Sequence, residues 1–461
     1  MMALLQPQDW MSLAPPLDEP ETAAAATEVV AEVSRTSIFQ GYVGVFAVAF
    51  LVTLLTTPIM RRLAVANKIV DIPSDPRKVH KQPTAYLGGV AVFLGLMAAM
   101  IFAVIATQFP GLIEYHPTEH TLRTANKIVP FSIMLGMAVI MFVGLFDDIA
   151  HISPRLKISG QLFAAAALAL DEVGIKVASG IILPVAHGLG IDTILINGQE
   201  TVGFVLFGVG FDVIYWTGAA VIAAFVLGGC NAANLIDGLD GLLSGVTGIA
   251  AAGILVIALT LALVDDGPRD TQRIILAMAI LGACLGFLPH NFNPASIFLG
   301  DAGSLLLGYC MVVLILTLGD TGKTHLVVAG LVIFAIPIMD TTLAIVRRKL
   351  SGKKMSEADS NHLHHMLKRA LGVKGAVFAL YGIGAAFALL GIGASFGRAR
   401  LIYAIIIVLA SFIGVTAIKI ARRDTFEAEI VGSISKGVTK PAPPATDSDA
   451  DASATKSASG N

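Results

Sequence analysis

Residues 211–264 read FDVIYWTGAAVIAAFVLGGCNAANLIDGLDGLLSGVTGIAAAGILVIALTLALV, and this stretch decides the fold. Two apolar runs, 211–231 and 240–264, flank a short polar insert rich in Asn, Asp and Gly. A helix needs ~20 mostly apolar residues to cross the hydrocarbon of a bilayer. Each run has that length, and the insert is too short for a domain, so the stretch predicts two membrane spans joined by a tight polar turn. The same pattern recurs outward from it. Further candidate spans lie at 40–60, 88–108, 128–147, 156–173, 273–289, 303–319, 325–347, 374–396 and 400–421. Composition agrees: 55% of residues are apolar and 14% charged, with a mean hydropathy of +0.79, whereas soluble domains carry about 25% charged residues. The expected fold is an all-α polytopic membrane protein of eleven transmembrane helices.

The expected transmembrane domain is 37–423, between an acidic, Ala/Pro-rich tail at 1–36 and a low-complexity tail at 424–461, both expected to be disordered. The N-terminus lacks a basic segment followed by an apolar run, so no cleavable signal peptide is expected. Stretch 176–205 carries Asn197-Gly198 between short apolar runs, the signature of a β-hairpin, and is expected outside the membrane. Eleven spans put the tails on opposite sides, and basic residues concentrate on the cytoplasmic side of such chains. With the C-terminus inside, the inner loops carry 16 Lys and Arg, the long C-tail set aside, against 9 for the outer side. The expected topology is N-terminus outside and C-terminus cytoplasmic. Net charge is -2, which excludes a bulk electrostatic attraction to nucleic acid. Cys230, Cys284 and Cys310 lie far apart in apolar runs and suit neither a disulfide framework nor a metal site.

The polar clusters fall in the inner loops. They are Asp71 to Thr84 (DIPSDPRKVHKQPT) before Gly88-Gly89, Asp147-Asp148 followed by Arg155 and Lys157, Asn231 to Gly241, Asn291 to Ser304, and His362-Leu-His-His365. An Asp at a helix centre costs ~2.5–3.5 kcal/mol. Asp147, Asp148, Asp237, Asp240, Asp301 and Asp340 would together cost roughly 15–20 kcal/mol facing lipid, so they belong at helix ends, in a polar cavity or on a cation. Asn231, Asn234 and Asp237 are spaced i, i+3, i+6 and share a face if the helix continues through them. Hard oxygen ligands without Cys favour Mg²⁺, with Mn²⁺ an acceptable substitute. Arg77, Lys78, His80, Lys157, Arg347 and Arg348 suit phosphate. The Gly-rich turn at 300–303 is expected to offer backbone N–H groups to an anion. Carboxylates, divalent metal and cations together are the recurring parts of phosphoryl transfer. Each cluster also has a bland reading. Basic loops can be topology signals alone, an Asp pair can be a solvated helix end, and HLHH can be a surface loop or a transition-metal site. Asp340 can pair with Thr341 or Thr342, and Gly88-Gly89 can be a close helix contact.

With these residues the chain resembles the polyprenyl-phosphate N-acetylhexosamine-1-phosphate transferases, a family that includes the phospho-N-acetylmuramoyl-pentapeptide transferases. The resemblance runs from about residue 40 to 420 and rests on NAANLIDGLDGL, NPASIFLGDAGSLLLG, RKVHKQPTAYLGG and HLHH. The last two point to the branch that uses UDP-N-acetylglucosamine and undecaprenyl phosphate. The resemblance implies Asp301 as a Mg²⁺ ligand, with Asp147 and Asp148 beside the lipid phosphate and metal and Asp147 as the candidate base. It also implies that Asn234 and Asp237 contact nucleotide or diphosphate and that Phe298 stacks near uracil. His362, His364 and His365 with Arg347 and Arg348 are implied to hold the sugar-nucleotide. The expected catalytic set is thus Asp147, Asp148, Asp237 and Asp240, with Asp301 and Asp148 on the metal. Asn231, Asn234, Phe298, Arg77, Lys78, His80, Lys157, Arg347, Arg348 and the three His are expected to bind substrate.

The implied reaction transfers a sugar-1-phosphate, N-acetylglucosamine-1-phosphate by this branch, from a UDP-sugar to undecaprenyl phosphate and releases UMP. It is expected at the cytoplasmic face of a bacterial inner membrane, as a first step of cell-envelope polysaccharide synthesis. The alternatives are another UDP-N-acetylhexosamine or the muramoyl-pentapeptide donor. A reading from a different class is a secondary transporter, which would carry internal repeats and midplane carboxylates; the sequence has no visible repeat. A homodimer is compatible with the sequence, which does not decide oligomeric state.

Overall fold

Because most of the apolar runs are uninterrupted by charge, they form helices that satisfy their own backbone hydrogen bonds, as lipid requires. The computed structural model describes residues 37–72, 83–106, 108–109, 129–196, 199–206, 209–265, 269–321, 323–350 and 362–396, with isolated positions 404 and 411. The helices are α1 Ser37–Ala66, α2 Gly88–Ala106, α3 Phe131–Ala150, α4 Pro154–Leu170, α5 Lys176–Leu189 and α6 Val213–Ile236. They continue with α7 Leu242–Asp265, α8 Arg269–Asn291, α9 Gly300–Leu318, α10 Thr324–Ile333, α11 Ala335–Leu350 and α12 Leu363–Phe396.

Eight of these, α1, α2, α3, α6, α7, α8, α9 and α12, are long and apolar enough to cross a membrane. The chain is therefore a mostly helical polytopic membrane protein. The expected span at 325–347 is a broken one: α10 and α11 meet at an angle of 80°, which gives up to nine spans among the described residues. The expected span at 156–173 is α4, a helix of 17 residues. Apart from positions 404 and 411, the expected span at 400–421, both tails and Arg77, Lys78 and His80 lie outside the described residues.

Helix α9 is the axis of the bundle. Every residue from Ala302 to Leu318 is buried, and α9 packs on α2, α3 and α6. α1 closes one flank against α2 and α8, and α12 the other against α7 and α10. At the end of the bundle away from the site, polar contacts tie the helices together. The buried Arg273 donates from Nε and Nη2 to the Thr317 carbonyl at 2.8 and 2.6 Å. The Ser132 N–H donates to Asp171 at 3.3 Å, and the Gly174 N–H to Asp320 at 3.1 Å.

Stretch 176–205 holds more than one hairpin. The amphipathic α5 comes first, and two antiparallel hairpins follow, β3 (Ile194–Ile196) with β4 (Gln199–Thr201) and β5 (Gly203–Leu206) with β6 (Val209–Asp212). Ile196 opposite Gln199 is the register expected of a two-residue turn at Asn197-Gly198. A shorter pair, β1 (Val70–Asp71) with β2 (Thr84–Ala85), precedes α2.

Candidate active site

Polar segments from several helices and turns meet at one end of the bundle, and α9 begins among them. Asp148, in the last turn of α3, places its two oxygens on the first N–H groups of α9. Oδ1 accepts from Asp301 at 2.7 Å and Oδ2 from Ala302 at 3.0 Å. A helix N-terminus carries unpaired N–H groups and a partial positive charge, so a carboxylate is stabilised there. This corrects one expectation. The 300–303 turn does not offer its N–H groups to a substrate anion, because the chain's own Asp148 takes two of them. Gly89 takes the space in front of another: a Cβ at Gly89 would lie 2.1 Å from the Gly303 nitrogen. The Gly88-Gly89 pair is thus a close contact, held further by Gly88 and Gly89 N–H groups donating to the Phe298 and Leu299 carbonyls at 3.0 and 2.8 Å.

Around this anchor a charged network forms. Lys157, in the first turn of α4, donates to Asp147 Oδ2 at 3.0 Å and also to Asp301 Oδ2. Asn234 donates from Nδ2 to Asp301 Oδ1 at 2.7 Å and to Ser304 Oγ at 2.9 Å. Helix α6 does continue through the Asn pair to Ile236, past the expected end at 231. Asn231 therefore shares the face of Asn234 but points one turn deeper, to Gln161 Oε1 at 2.9 Å and the Leu227 carbonyl at 2.7 Å. In this structure it braces α6 on α4.

Asp237 stands just past α6, in a non-helical C-cap, and no hydrogen-bond donor among the described residues reaches its carboxylate. Burial, then the charges of Asp301, Asp148 and Asp240, push it up to about 8. Asp240 is held differently, accepting from Asn293 Nδ2 at 2.8 Å and the Ala295 N–H at 3.0 Å. Asn291 completes the turn: its Oδ1 accepts from the Gly241 N–H and Ser244 hydroxyl, both at 3.1 Å. Phe298 lies beside Tyr86, with ring centroids 6.1 Å apart.

The His segment reaches the same turn. A Cβ at Gly238 would lie 2.5 Å from His364 Nε2, so the two motifs are in contact. His362 and His364 are buried and His365 packs on His364 at 4.2 Å between centroids. Two expectations change here. HLHH is not a loop, since α12 starts at Leu363 and breaks at Gly372 (φ 72°) before its membrane-crossing part. Nor is Asp340 paired with its neighbouring threonines. Thr342 donates to the Ile338 carbonyl, whereas Asp340 contacts His362, His364 and the Leu363 N–H. Arg347 and Arg348 stand in the last turn of α11, and Arg347 is buried.

The structure thus joins Asp147, Asp148, Lys157, Asn234 and Asp301 directly. It sets Asp237, Asp240, Phe298 and the three His around them. Gln161, Asn291, Asn293, Ser304 and Asp340 were not among the expected site residues. Asn291, Asn293 and Ser304 fall in a polar cluster and Asp340 is a carboxylate inside an apolar run, whereas Gln161 carried no visible signal.

A cation fits this donor set. Five carboxylates gather at one helix end, all hard oxygen donors. Lys157 compensates two of them, and among the described residues Asp237 has no hydrogen-bond donor. Asp148 has each oxygen engaged once by α9.

Fold and site together define a polytopic membrane protein with a carboxylate-rich cluster at one helix end. Comparison with known proteins narrows the class. The model for Glycosyl transferase family 4 matches residues 130–319. A probable undecaprenyl-phosphate N-acetylglucosaminyl 1-phosphate transferase of Bacillus subtilis is 33% identical over 329 residues, covering 69% of this chain and 76% of the relative. A decaprenyl-phosphate N-acetylglucosaminephosphotransferase of Mycolicibacterium smegmatis is 31% identical over 404 residues, 81% of this chain and 87% of the relative. A phospho-N-acetylmuramoyl-pentapeptide-transferase of Bacillus cytotoxicus is 28% identical over 342 residues, 71% and 90%. The chain belongs to the polyprenyl-phosphate N-acetylhexosamine-1-phosphate transferase family.

Proposed function

We propose that this protein transfers N-acetylglucosamine-1-phosphate from UDP-N-acetylglucosamine to undecaprenyl phosphate, with Mg²⁺, at the cytoplasmic face of a bacterial inner membrane. The observation that carries the reading is the Lys157 ammonium held between Asp147 and Asp301, with Asn234 on the other oxygen of Asp301. It gathers α3, α4, α6 and α9 at one point, in a chain whose relatives carry names of this reaction. The excess of Lys and Arg in the inner loops supports the cytoplasmic placement.

A phosphate oxygen of the polyprenyl phosphate attacks the β-phosphorus of the UDP-sugar. The bond from that phosphorus to the oxygen bridging the α-phosphate breaks, and UMP leaves with the bridging oxygen. A phosphate monoester has its second pKa near ~6 and is mostly dianionic at neutral pH, so it needs little deprotonation. The dominant problem is repulsion between two anions. Mg²⁺, held by Asp301 with Asp237 and backed by Asp148, would supply charge neutralisation at the diphosphate. Asp148 fixes the start of α9 and so the direction of the Asp301 side chain. Asn234 orients Asp301 through its amide, and Lys157 places a positive charge between Asp147 and Asp301. His362, His364, His365, Arg347 and Arg348 hold the sugar-nucleotide, and Phe298 lies against the base.

The test is incubation of purified protein with undecaprenyl phosphate, Mg²⁺ and a panel of UDP-sugars, with UMP as readout. UMP formed from UDP-N-acetylglucosamine and dependent on the lipid phosphate is the expected result. UMP formed only from another UDP-N-acetylhexosamine or from the muramoyl-pentapeptide donor changes the donor, and no UMP from any donor removes the reading.

A further inference from the structure

The chain's most enclosed carboxylate is outside the charged network described above. Asp340 sits on α11 with no exposure at all. Its Oδ1 accepts from the Leu363 N–H at 2.7 Å. Its Oδ2 lies 3.1 Å from His362 Nδ1 and 3.2 Å from His364 Nδ1. Its hydrogen-bond partners among the described residues come from three consecutive positions, which stand 22 to 24 residues further along the chain. A buried carboxylate left without donors is costly, so this set of contacts is what permits Asp340 at an otherwise apolar depth.

The contacts also dictate the imidazoles. An ionised carboxylate only accepts, so both rings must donate from Nδ1. That choice puts the unprotonated edge of each neutral ring at Nε2. For His364 this edge faces the DGLD turn: a Cβ at Gly238 would meet Nε2 at 2.5 Å. The two rings lie nearly parallel, 5.5 Å apart with 21° between planes, as a pair fixed from one side. The chain of contacts runs from Asp340 through His364 to the segment carrying Asp237 and Asp240.

We propose that Asp340 is a positioning residue: it sets the tautomer and orientation of His362 and His364, and so the sugar-nucleotide side of the site. This rests on the reading of the site as a UDP-sugar transferase. Asp340 acts through the imidazoles and, being sealed behind them, touches no substrate. Carboxylate partners of this kind, when removed from ligand-holding histidines, typically change affinity by about 10- to 100-fold.

The test uses the full chain in nanodiscs with Mg²⁺, UDP-N-acetylglucosamine and undecaprenyl phosphate. Asp340→Asn should raise KM for the UDP-sugar by about 10-fold or more while KM for undecaprenyl phosphate stays within about 2-fold. In a His362→Ala/His364→Ala background, the same substitution should add less than about 2-fold, because its route is already gone. The tautomers are read separately, by ¹⁵N NMR of His-labelled wild-type protein, with signals assigned by the single His variants. Both rings should be protonated at Nδ1. Equal changes in both KM values, additivity in the His-free background or Nε2 protonation in the wild type would each overturn the proposal. So would a stoichiometric transition metal in the purified protein, since these three side chains could also serve as its ligands. If wild-type protein forms no UMP, the transferase reading fails; the NMR readout needs no turnover and decides the Asp340–imidazole contact by itself.

Discussion

Asp148 Oδ1 receives the backbone N–H of Asp301 at 2.7 Å, so two aspartates of the site are joined through the main chain of one of them. The first carboxylate anchors the helix that presents the second. Replacing Asp148 by Ala leaves two N–H groups at the start of α9 without acceptors. Hydrogen bonds to charged groups are worth ~1.5–3 kcal/mol each, with partial compensation by water expected at a helix end. Asp148→Ala should therefore lower stability by roughly 2–3 kcal/mol and abolish measurable UMP release. Asp148→Asn keeps one acceptor but turns an NH₂ towards an N–H, so it should be nearly as inactive and destabilised by less. Thermal unfolding in detergent together with the UMP assay checks both.

Lys157 tests whether the charged network is tuned or merely solvated. Its ammonium bridges Asp147 and Asp301 while only partly exposed. Lys157→Met leaves both carboxylates without that partner. The expected outcome is a fall in kcat of about 100-fold or more, as for loss of a preorganised electrostatic group. Lys157→Arg, which keeps the charge but not the compact geometry, should retain more activity than Met. Equal activity of wild type and Met variant would show that the bridge has no part in turnover.

Metal dependence is predicted from the arrangement at Asp237, which has three carboxylates near it and no donor among the described residues. Exhaustive chelation should abolish activity, Mg²⁺ should restore it and Mn²⁺ should restore it at least in part. Asn234→Asp, which replaces the amide that donates to Asp301 by a further carboxylate, should raise the Mg²⁺ concentration for half-activation or lower kcat by about 10-fold or more. Unchanged turnover after chelation would separate the carboxylates from any cation.

How far these residues were legible in the sequence differs with the physics behind each. Spans were legible because hydropathy is additive along the chain. Their polar ends were not: α6 runs on through Asn231 and Asn234 to Ile236, since a helical backbone is indifferent to side chains that find partners across the bundle. The same holds for α12, whose HLHH start reads as a loop by polarity and is helical from Leu363. The carboxylates were flagged by their cost in lipid, but their roles were not separable. Asp148 and Asp301 look alike in sequence, and only the approach of α3 to the start of α9 makes one an anchor. Asp340 stayed undecided because its partners are contributed by a segment more than twenty residues away.

Gly89 gives a prediction about packing alone. A Cβ there would lie 2.1 Å from the Gly303 nitrogen and 2.6 Å from its Cα, both backbone atoms that no rotamer change can move. Gly89→Ala must push α2 away from α9. Overpacking of this kind costs ~1–3 kcal/mol, and because α9 carries Asp301 the substitution should also reduce UMP release. Thermal unfolding that is unchanged in Gly89→Ala would contradict the contact between the two helices.

The orientation of the site can be tested without turnover. Cys230, Cys284 and Cys310 are all buried, so a cysteine introduced at an exposed position should dominate labelling by a membrane-impermeant maleimide. Arg155 is exposed two residues before Lys157, and Asp192 is exposed between α5 and β3, at the other end of the bundle. Arg155→Cys should be labelled only from the cytoplasmic side, in inverted vesicles or permeabilised cells, and Asp192→Cys in intact spheroplasts. The basic-residue bias that supports the proposed cytoplasmic placement rests on loop charges and is independent of the contacts in the bundle. Reversal of both labels would leave the site's geometry intact but put it on the side away from cytoplasmic UDP-sugars, and the proposed reaction would lose its donor.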